Sequence, residues 1–445
     1  MVRRRRSDPA WDVTVVVAAN AVIVVGLWLR HGGLANSRGP GGSLTAVGQL
    51  TGLLGAYSVV VQLVLMARVP ALERHLGLHR LAWWHRWNGF ASVTLVMVHA
   101  VTITLGYAAS AQVSIVRQLT DFVQHYADVL MAIVATVLLA LVAVTSMRAA
   151  RARLPRETWY FVHLYAYLAV ALGFAHQIAV GSDFDGDPVA RAWWIALYVV
   201  AGLTMLGARV GSPLWFNARH RLRVEKVSNE SPETVSVYLE GRDLDRIAAQ
   251  AGQFFLWRFL TRAAWWQAHP FSLSAAPDGR SLRITVKALG DFTNRVRELR
   301  PGTRVFAEGP YGRFTAERRT RPRVLLIAGG IGITPLRALL DALAADPGDL
   351  TLLYRVEHPK DFVFRGELEE LARTRGVIIY PLAGAEIGDD ETDRLGIPAL
   401  KAMVPDVGER DVYVCGPPGL VDVVRRRLRR IGVPARQIHE ERFDY

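Results

Sequence analysis

Six long apolar segments occupy the first half of the chain and are separated by short polar loops. They cover about residues 11–29, 45–67, 84–106, 127–147, 158–179 and 191–210. Each is close to the roughly 20 residues that a helix needs to cross the ~30 Å hydrocarbon core of a bilayer. The pattern predicts a six-helix transmembrane bundle over residues 11–215, preceded by a basic N-terminus at residues 1–10.

After residue 215 the pattern changes to short β-like runs that are broken by glycine and proline. Over residues 216–316 these runs predict a small antiparallel β-barrel. The runs are Leu222–Val227, Thr234–Leu239, Gly252–Trp257 and Leu282–Ala288. Over residues 317–445 apolar strands alternate with helical stretches, which predicts an α/β nucleotide-binding domain. These strands are Val324–Ala328, Leu350–Tyr354, Val377–Pro381 and Asp411–Cys415.

The charges of the loops predict how the bundle is oriented. Arginines are concentrated at residues 3–6 and in the loops 68–82 and 148–156, whereas the opposite loops 31–43 and 183–187 are rich in glycine or aspartate. The positive-inside rule then places the N-terminus in the cytoplasm, and six spans return the C-terminus to the same side. We interpret the first apolar run as a retained span of a cell-membrane protein, because it is long and no clear cleavage site follows it.

Four histidines lie inside two of the apolar segments. His85 and His99 are fourteen residues apart in one, and His163 and His176 are thirteen apart in another. At about 1.5 Å of rise per residue, each pair sets two imidazoles roughly 20 Å apart along a helix. Because imidazole is a good axial ligand for haem iron, we expect an inner haem on His85 and His163 and an outer haem on His99 and His176.

The spacing of thirteen poses a geometric difficulty for this interpretation. At roughly 100° per residue, a spacing of fourteen returns to within ~40° of the same helix face, whereas thirteen falls ~140° away. The second helix is therefore expected to deviate from ideal winding. Gly173, between the two histidines, is one place where the winding could change. The alternative for each histidine is a polar residue that is hydrogen-bonded inside the bundle, but ionisable groups are rare in membrane segments and usually functional. We expect His75, His79 and His125, at helix ends or in loops, to be non-ligands.

Charge and cysteine content narrow the classes of partner and cofactor. The net charge of +13 is not gathered on one face with interleaved aromatic residues, so we expect no nucleic-acid partner. The single cysteine, Cys415, excludes a disulfide framework, an all-cysteine zinc site and a cysteine-ligated iron–sulfur cluster within this chain. Electron carriers are therefore expected to be organic cofactors or haem, which without a cysteine for covalent attachment would be b-type.

Two segments of the second half can contact a dinucleotide. The turn Gly329–Pro335 between a strand and a helix would let backbone N–H groups approach a pyrophosphate. In the run His269–Ser272, alternation places Phe271 against a planar ring, while His269 and Ser272 offer polar contacts. Downstream, Lys287 and the run Gly290–Thr293 offer a cation, backbone N–H groups and a hydroxyl for phosphates. The alternative for the run His269–Ser272 is an ordinary strand with an aromatic residue in the core.

Six motifs occur in order along this half. They are HPFSLSAAP (269–277), GDFT (290–293), GPYG (309–312), GGIGITP (329–335), VCGPP (414–418) and an aromatic C-terminus. Together they resemble the ferredoxin-reductase-type FAD/NAD(P)H module. With the six-helix domain and its histidine spacing, the chain resembles the NADPH oxidase and transmembrane ferric reductase superfamily.

The resemblance implies site residues for both cofactors. FAD would be held by a group in which Ser272 lies near the flavin N5, namely His269, Pro270, Phe271, Ser272, Lys287, Gly290, Phe292 and Thr293. NAD(P)H would be held with Cys415 beside the nicotinamide ring, by Gly329, Gly330, Gly332, Thr334, Pro335, Cys415, Gly416 and Pro417. A C-terminal aromatic residue would cover the flavin face, and we favour Phe443 over Tyr445. We expect no calcium-binding EF-hand before the helices. In this respect the chain resembles the compact bacterial form of the family, with no obligatory protein partner.

The implied path runs from NAD(P)H to FAD, to the inner haem, to the outer haem and to an acceptor on the outer face. The acceptor is most simply O₂, giving superoxide; ferric chelates are the first alternative, and a membrane-anchored flavin reductase that serves a redox partner protein is the second. NADPH is favoured over NADH because Arg355 follows the strand Leu350–Tyr354 and suits a 2′-phosphate, with Lys360 nearby. Glu357 argues for NADH, since an acidic residue can hold the ribose hydroxyls.

Overall fold

A computed structural model describes residues 9–126, 128–180, 186–384, 388 and 393–443 of the chain. The chain divides into two compact units, Met1–Val210 and Gly211–Tyr445. The arginines at 3–6, the loop residues 183–185 and Tyr445, on which some predictions depend, lie outside the described residues.

The first unit is helical, as the apolar segments predict. Its helices are α1 (Pro9–Arg30), α2 (Gly42–Leu65), α3 (Pro70–Leu76), α4 (Leu78–Ala111), α5 (Ile115–His125), α6 (Val129–Ser146), α7 (Arg148–Arg151), α8 (Arg156–Val180) and α9 (Pro188–Leu206). Within the described residues, six helical stretches are long and apolar enough to cross a membrane, the last of them running over Pro188–His220. The six predicted spans are therefore confirmed. The helix α4 is longer than its predicted segment and places both of its histidines in one continuous element.

Glycines bring α2 and α4 into close contact. A Cβ atom added to Gly48 would lie 2.6 Å from the Ile103 side chain, and one added to Gly55 would lie 3.2 Å from Leu95. Membrane helices associate through small residues because lipid provides no hydrophobic drive between them. The helix α9 begins at a cap in which the Asp187 carboxylate accepts the backbone N–H groups of Val189 and Ala190, at 3.1 and 3.0 Å.

The second unit begins with a helix and two small antiparallel sheets. Its first elements are α10 (Ser212–His220), β1 (Arg223–Ser231), β2 (Thr234–Glu240), β3 (Phe254–Phe259), β4 (His269–Ser272), β5 (Leu282–Lys287), α11 (Asp291–Val296) and β6 (Val305–Tyr311). The strands form two three-stranded sheets of order β1-β2-β5 and β4-β3-β6. Isolated bridges join Arg223 to Arg304 and Leu273 to Ile284. The antiparallel strands agree with the sequence, whereas a closed barrel remains a prediction.

A parallel α/β domain completes the second unit. Its elements are β7 (Val324–Gly329), α12 (Ile333–Ala342), β8 (Leu350–Val356), α13 (Arg365–Arg375), β9 (Ile378–Ala383), α14 (Ile397–Met403), β10 (Asp411–Gly416), α15 (Pro418–Ile431) and β11 (Ile438–Arg442). The sheet order is β11-β10-β7-β8-β9, and all of its pairs are parallel. The strand order reverses between β7 and β10, and ligands bind at such a point in open α/β sheets.

Candidate functional site

The structure brings two of the four membrane histidines, His85 and His163, together across α4 and α8. The rings of His85 and His163 have their centroids 6.1 Å apart, with an interplanar angle of 56°. His99 and His176 lie on the same two helices, and their pairing stays a prediction. The inner pair combines one histidine from each helix at the same level, as the spacing predicts.

The ring nitrogens of these histidines fit a haem-binding role. His99 Nδ1 donates a hydrogen bond to the backbone carbonyl of Gly48 at 2.8 Å, which leaves Nε2 available to bind a metal. A Cβ atom on Gly52 would lie 2.5 Å from the same Nδ1, so glycine makes room for this ring. His85 Nδ1 and His176 Nδ1 are buried without a hydrogen-bond partner among the described residues.

The separation of the inner pair fits one metal atom between two imidazoles. Imidazole–metal bonds are about 2 Å long, so two nitrogens that share a metal lie about 4 Å apart and their ring centroids somewhat farther. The observed 6.1 Å between the His85 and His163 centroids is of that size. The donor set therefore fits haem iron held by two axial histidines.

The deviation of α8 from ideal winding, for which Gly173 is one possible place, stays a prediction. The helix runs from Arg156 to Val180 as one α-helix. Gly173 has only the Gln177 amide nitrogen near its Cβ position, at 3.9 Å.

Sequence reasoning missed the polar residues that support the inner level. The Gln62 side-chain amide donates to the His85 backbone carbonyl at 2.8 Å, and the Asn88 amide donates to Gln62 Oε1 at 2.8 Å. Amides within apolar spans are a signal that could have identified these residues. His125, expected to be a non-ligand, pairs with Asp121 at 2.9 Å on its own helix; the His79 side chain lies outside the described part of the chain.

The predicted flavin residues cluster around three nearly parallel rings. The ring of His269 stacks on Phe292 with centroids 3.7 Å apart, and Phe271 lies 6.3 Å from His269 at an angle of 15°. Ser272 is buried at the end of β4, and its hydroxyl has no hydrogen-bond partner among the described residues. A buried hydroxyl without a partner is costly, so Ser272 fits a hydrogen bond to a bound group. Pro270, which lies between His269 and Phe271 in β4, is exposed.

The expected phosphate contacts are partly engaged within the protein. The Thr293 hydroxyl accepts the backbone N–H groups of Leu289 and Gly290, at 2.8 and 2.9 Å, and donates to the Gly290 carbonyl. This hydroxyl therefore shapes the turn. Lys287 pairs with Glu233 at 3.7 Å.

Two glycines of the nucleotide turn are required by close packing. A Cβ atom on Gly332 would lie 2.2 Å from the Cys415 carbonyl oxygen, and one on Gly329 would lie 2.2 Å from Leu420. Gly416 lies against Gly329, whereas Gly330 has φ +55° with open space around its Cβ position. The Thr334 hydroxyl donates to the Ile331 carbonyl at 3.0 Å, and Pro335 is buried in the first turn of α12. The turn is therefore held directly against the end of β10, where Pro417 follows.

Cys415 and the C-terminal segment lie side by side. Cys415 pairs with Glu441 in the β10–β11 register, and the Phe443 N–H donates to the Gly416 carbonyl at 3.2 Å. Burial, with a contribution from the charge of Glu441, raises the pKa of the Cys415 thiol well above its usual range. Burial also raises the pKa of Glu441 to about 7. Cys415 is thus a neutral thiol that is not activated for nucleophilic attack.

Arg355, the predicted 2′-phosphate ligand, is engaged with an acidic residue of the protein. It lies within β8, is 9% exposed and forms an ion pair with Asp393 at 3.8 Å. Arg427 pairs with the same carboxylate at 2.5 Å. The sequence around Arg355 shows a basic residue at the end of a strand. It does not show that Asp393, which is distant along the chain, faces this residue.

Arg355→Ala is therefore expected to lower stability without changing the choice of donor. Breaking a buried ion pair costs about 3–5 kcal/mol, and Arg427 remains to compensate Asp393, so we expect about 1–3 kcal/mol. The measurement is thermal release of flavin from the purified full chain, together with the ratio of KM values for NADPH and NADH. A ratio that changes tenfold with unaltered stability would restore the 2′-phosphate role.

Comparisons with known proteins agree with the two-part organisation. The family described as Ferric reductase like transmembrane component matches residues 51–174, FAD-binding domain matches residues 219–315 and Oxidoreductase NAD-binding domain matches residues 326–426. The chain is 32% identical over 190 residues to Ferredoxin--NADP reductase B of Sorangium cellulosum, covering 39% of this chain and 77% of that protein.

Two further likenesses each extend over more than half of the chain. The chain is 31% identical over 309 residues to a Flavohemoprotein of Chromobacterium violaceum, covering 63% of this chain and 74% of that protein. A solved structure of the flavohem-like FAD/NAD binding domain of nitric oxide dioxygenase from Vibrio cholerae is 26% identical, with a TM-score of 0.44, and covers 51% of this chain and 99% of that one.

Proposed function

We propose that this chain carries electrons out of the cytoplasm. The chain belongs to the superfamily that joins a ferric-reductase-like transmembrane component to a ferredoxin-reductase-type FAD and NAD-binding module. The donor is NAD(P)H, and the path runs through FAD and two b-type haems to an acceptor on the outer face of the cell membrane. The observation that carries the proposal is the pairing of the membrane histidines His85 and His163 across α4 and α8.

In the membrane unit, His85 and His163 would hold the inner haem and His99 and His176 the outer one. Bound haem supplies one-electron redox chemistry. The protein's contribution is to set ring orientation through groups such as the Gly48 carbonyl and to exclude water from the pairs. The arginine-rich loops support a cytoplasmic location for both termini.

In the second unit, bound FAD accepts two electrons as a hydride and can release them singly. Phe271, His269 and Phe292 would cover the flavin ring, with the Ser272 hydroxyl hydrogen-bonded near N5. The turn Gly329–Pro335 would receive the pyrophosphate, and Cys415, Gly416 and Pro417 would contact the nicotinamide. Phe443 would cover the remaining flavin face and move aside when the nicotinamide approaches.

The acceptor that we favour is O₂, reduced to superoxide, because this reaction needs no acid–base groups on the protein. A ferric chelate is the alternative, supported by the description of the matching membrane family. A membrane anchor for a flavin reductase that serves a redox partner protein would leave the two histidine pairs without a role.

The central test is the haem content of the purified full chain and its reduction by NAD(P)H. We expect two haems per flavin by the pyridine haemochrome assay, and a reduced-minus-oxidised spectrum of low-spin b-type haem when NAD(P)H is added to inside-out vesicles. Superoxide-dismutase-sensitive reduction of cytochrome c, compared with reduction of a ferric chelate, separates the two acceptors. Fewer than two haems per flavin would contradict the stacked arrangement.

A further inference from the structure

We propose that Glu367 is a positioning residue that fixes the nucleotide-binding domain against the flavin-binding domain at the geometry needed for hydride transfer. The proposal rests on the proposed function in so far as NAD(P)H must reduce a bound flavin. Glu367 lies on α13 and belongs to none of the cofactor-binding motifs.

The Glu367 carboxylate joins two arginines from different domains. Arg283, on β5 of the flavin-binding domain, donates to it in a bidentate manner, Nη1 to Oε1 at 2.5 Å and Nη2 to Oε2 at 3.0 Å. Arg337, on α12 of the nucleotide-binding domain, donates from Nε to Oε2 at 2.7 Å. Bidentate guanidinium–carboxylate pairs have a defined geometry as well as a high strength, so this contact restricts both distance and angle.

On the flavin side, the link leads directly to the segment that contains the predicted flavin contacts. Arg283 Nε donates to the Ser274 hydroxyl at 3.1 Å, and its Nη2 donates to the Ser274 carbonyl at 2.6 Å. Ser274 is buried and lies two residues after Ser272. The Arg283 guanidinium lies over the Phe364 ring at 4.9 Å and is largely removed from water.

On the nucleotide side, the link leads to the helix that begins at the glycine-rich turn. Arg337 follows Thr334 by three residues and lies in the same helix. Its Nη1 also pairs with Asp341 at 2.7 Å, which holds the guanidinium in place. A displacement of Glu367 would therefore be passed to the turn that receives the dinucleotide.

The charge of Glu367 is what this arrangement uses. Burial alone would raise the pKa of Glu367, but the guanidinium groups of Arg283 and Arg337 hold that pKa below its usual value. A neutral side chain at this position would leave the buried Arg283 guanidinium without its carboxylate partner and would leave Arg337 paired with Asp341 alone. The two domains would then relax apart, and a misplacement of about 1 Å can reduce a reaction rate on the order of 100-fold.

The test compares Glu367→Gln with Glu370→Gln in the full chain. Glu370 lies on the same helix, is exposed and pairs with Arg373 one turn away, so it is a matched control. In anaerobic stopped-flow experiments we expect the limiting rate of flavin reduction by NAD(P)H to fall about 10- to 100-fold in Glu367→Gln. We expect unchanged FAD content, a dinucleotide Kd within about threefold and a larger isotope effect with donor deuterated at C4. Glu370→Gln should match the unmodified chain.

A second variant keeps the proposal testable if Glu367→Gln does not fold. Glu367→Asp retains the charge on a shorter side chain, and we expect a smaller loss, about three- to tenfold, with full FAD content. A limiting rate equal to that of the unmodified chain in the folded variants, or a loss that follows FAD release only, would overturn the proposal. If the unmodified chain binds FAD but NAD(P)H does not reduce it, the proposed function fails instead.

Discussion

Replacement of His99 or His176 by alanine is expected to stop electron delivery to external acceptors while leaving the flavin reducible by NAD(P)H. In the proposed function each residue would supply one of the two ligands of the outer haem, and the hydrogen bond from His99 to the Gly48 carbonyl would orient the ring for that role. The loss of a hydrogen-bonded partner behind a ligand typically costs about 10- to 100-fold in metal affinity, so we expect the loss of the ligand itself to exceed about 100-fold in transmembrane electron transfer. The haem content should fall from two to one per flavin.

The matched control for this experiment is His125→Ala. His125 lies at the end of α5, is exposed and pairs only with Asp121 of the same helix among the contacts described. This variant should keep both haems and the full rate of external acceptor reduction. Unaltered electron transfer in both outer-level variants would show that the ligand assignment is wrong.

The sequence predicts the fold well where local patterns are strong. Six apolar segments of spanning length and a run of alternating strands and helices identify both units. The strand β11 was missed because its residues, IHEER, contain no apolar run and lie at the edge of the sheet. The short helices α3 and α5 were also missed, since loops were expected between the spans.

The candidate site was predictable in its motifs and not in its distant pairings. The histidine spacing and the glycine-rich turn are local signals. The ion pair of Arg355 with Asp393 and the contact of Gly52 with His99 join residues that are 38 and 47 positions apart. Such pairings depend on how helices and strands pack, which composition and spacing do not encode.

Gly332→Ala is expected to lower the rate of flavin reduction by NAD(P)H on the order of 100-fold while leaving the other cofactors in place. The added Cβ would lie 2.2 Å from the Cys415 carbonyl oxygen and 2.6 Å from its carbonyl carbon. These are backbone atoms and cannot rotate away, so the turn must separate from the end of β10. Overpacking of this kind typically costs about 1–3 kcal/mol, and a shift of about 1 Å can lower the rate of flavin reduction on the order of 100-fold.

The experiment measures flavin reduction by NAD(P)H in stopped flow and haem reduction by dithionite in the same preparation. Haem content and dithionite reduction should be unchanged, because the histidine pairs lie on α4 and α8. Gly408→Ala is the control, since Gly408 is exposed and has no atom within 4 Å of its Cβ position. Gly330→Ala should have a smaller effect, because its Cβ position is open and the left-handed φ of +55° costs only about 1–2 kcal/mol. A normal rate in Gly332→Ala would mean that the nucleotide does not depend on contact between this turn and Cys415, and the proposed nicotinamide position would then be wrong.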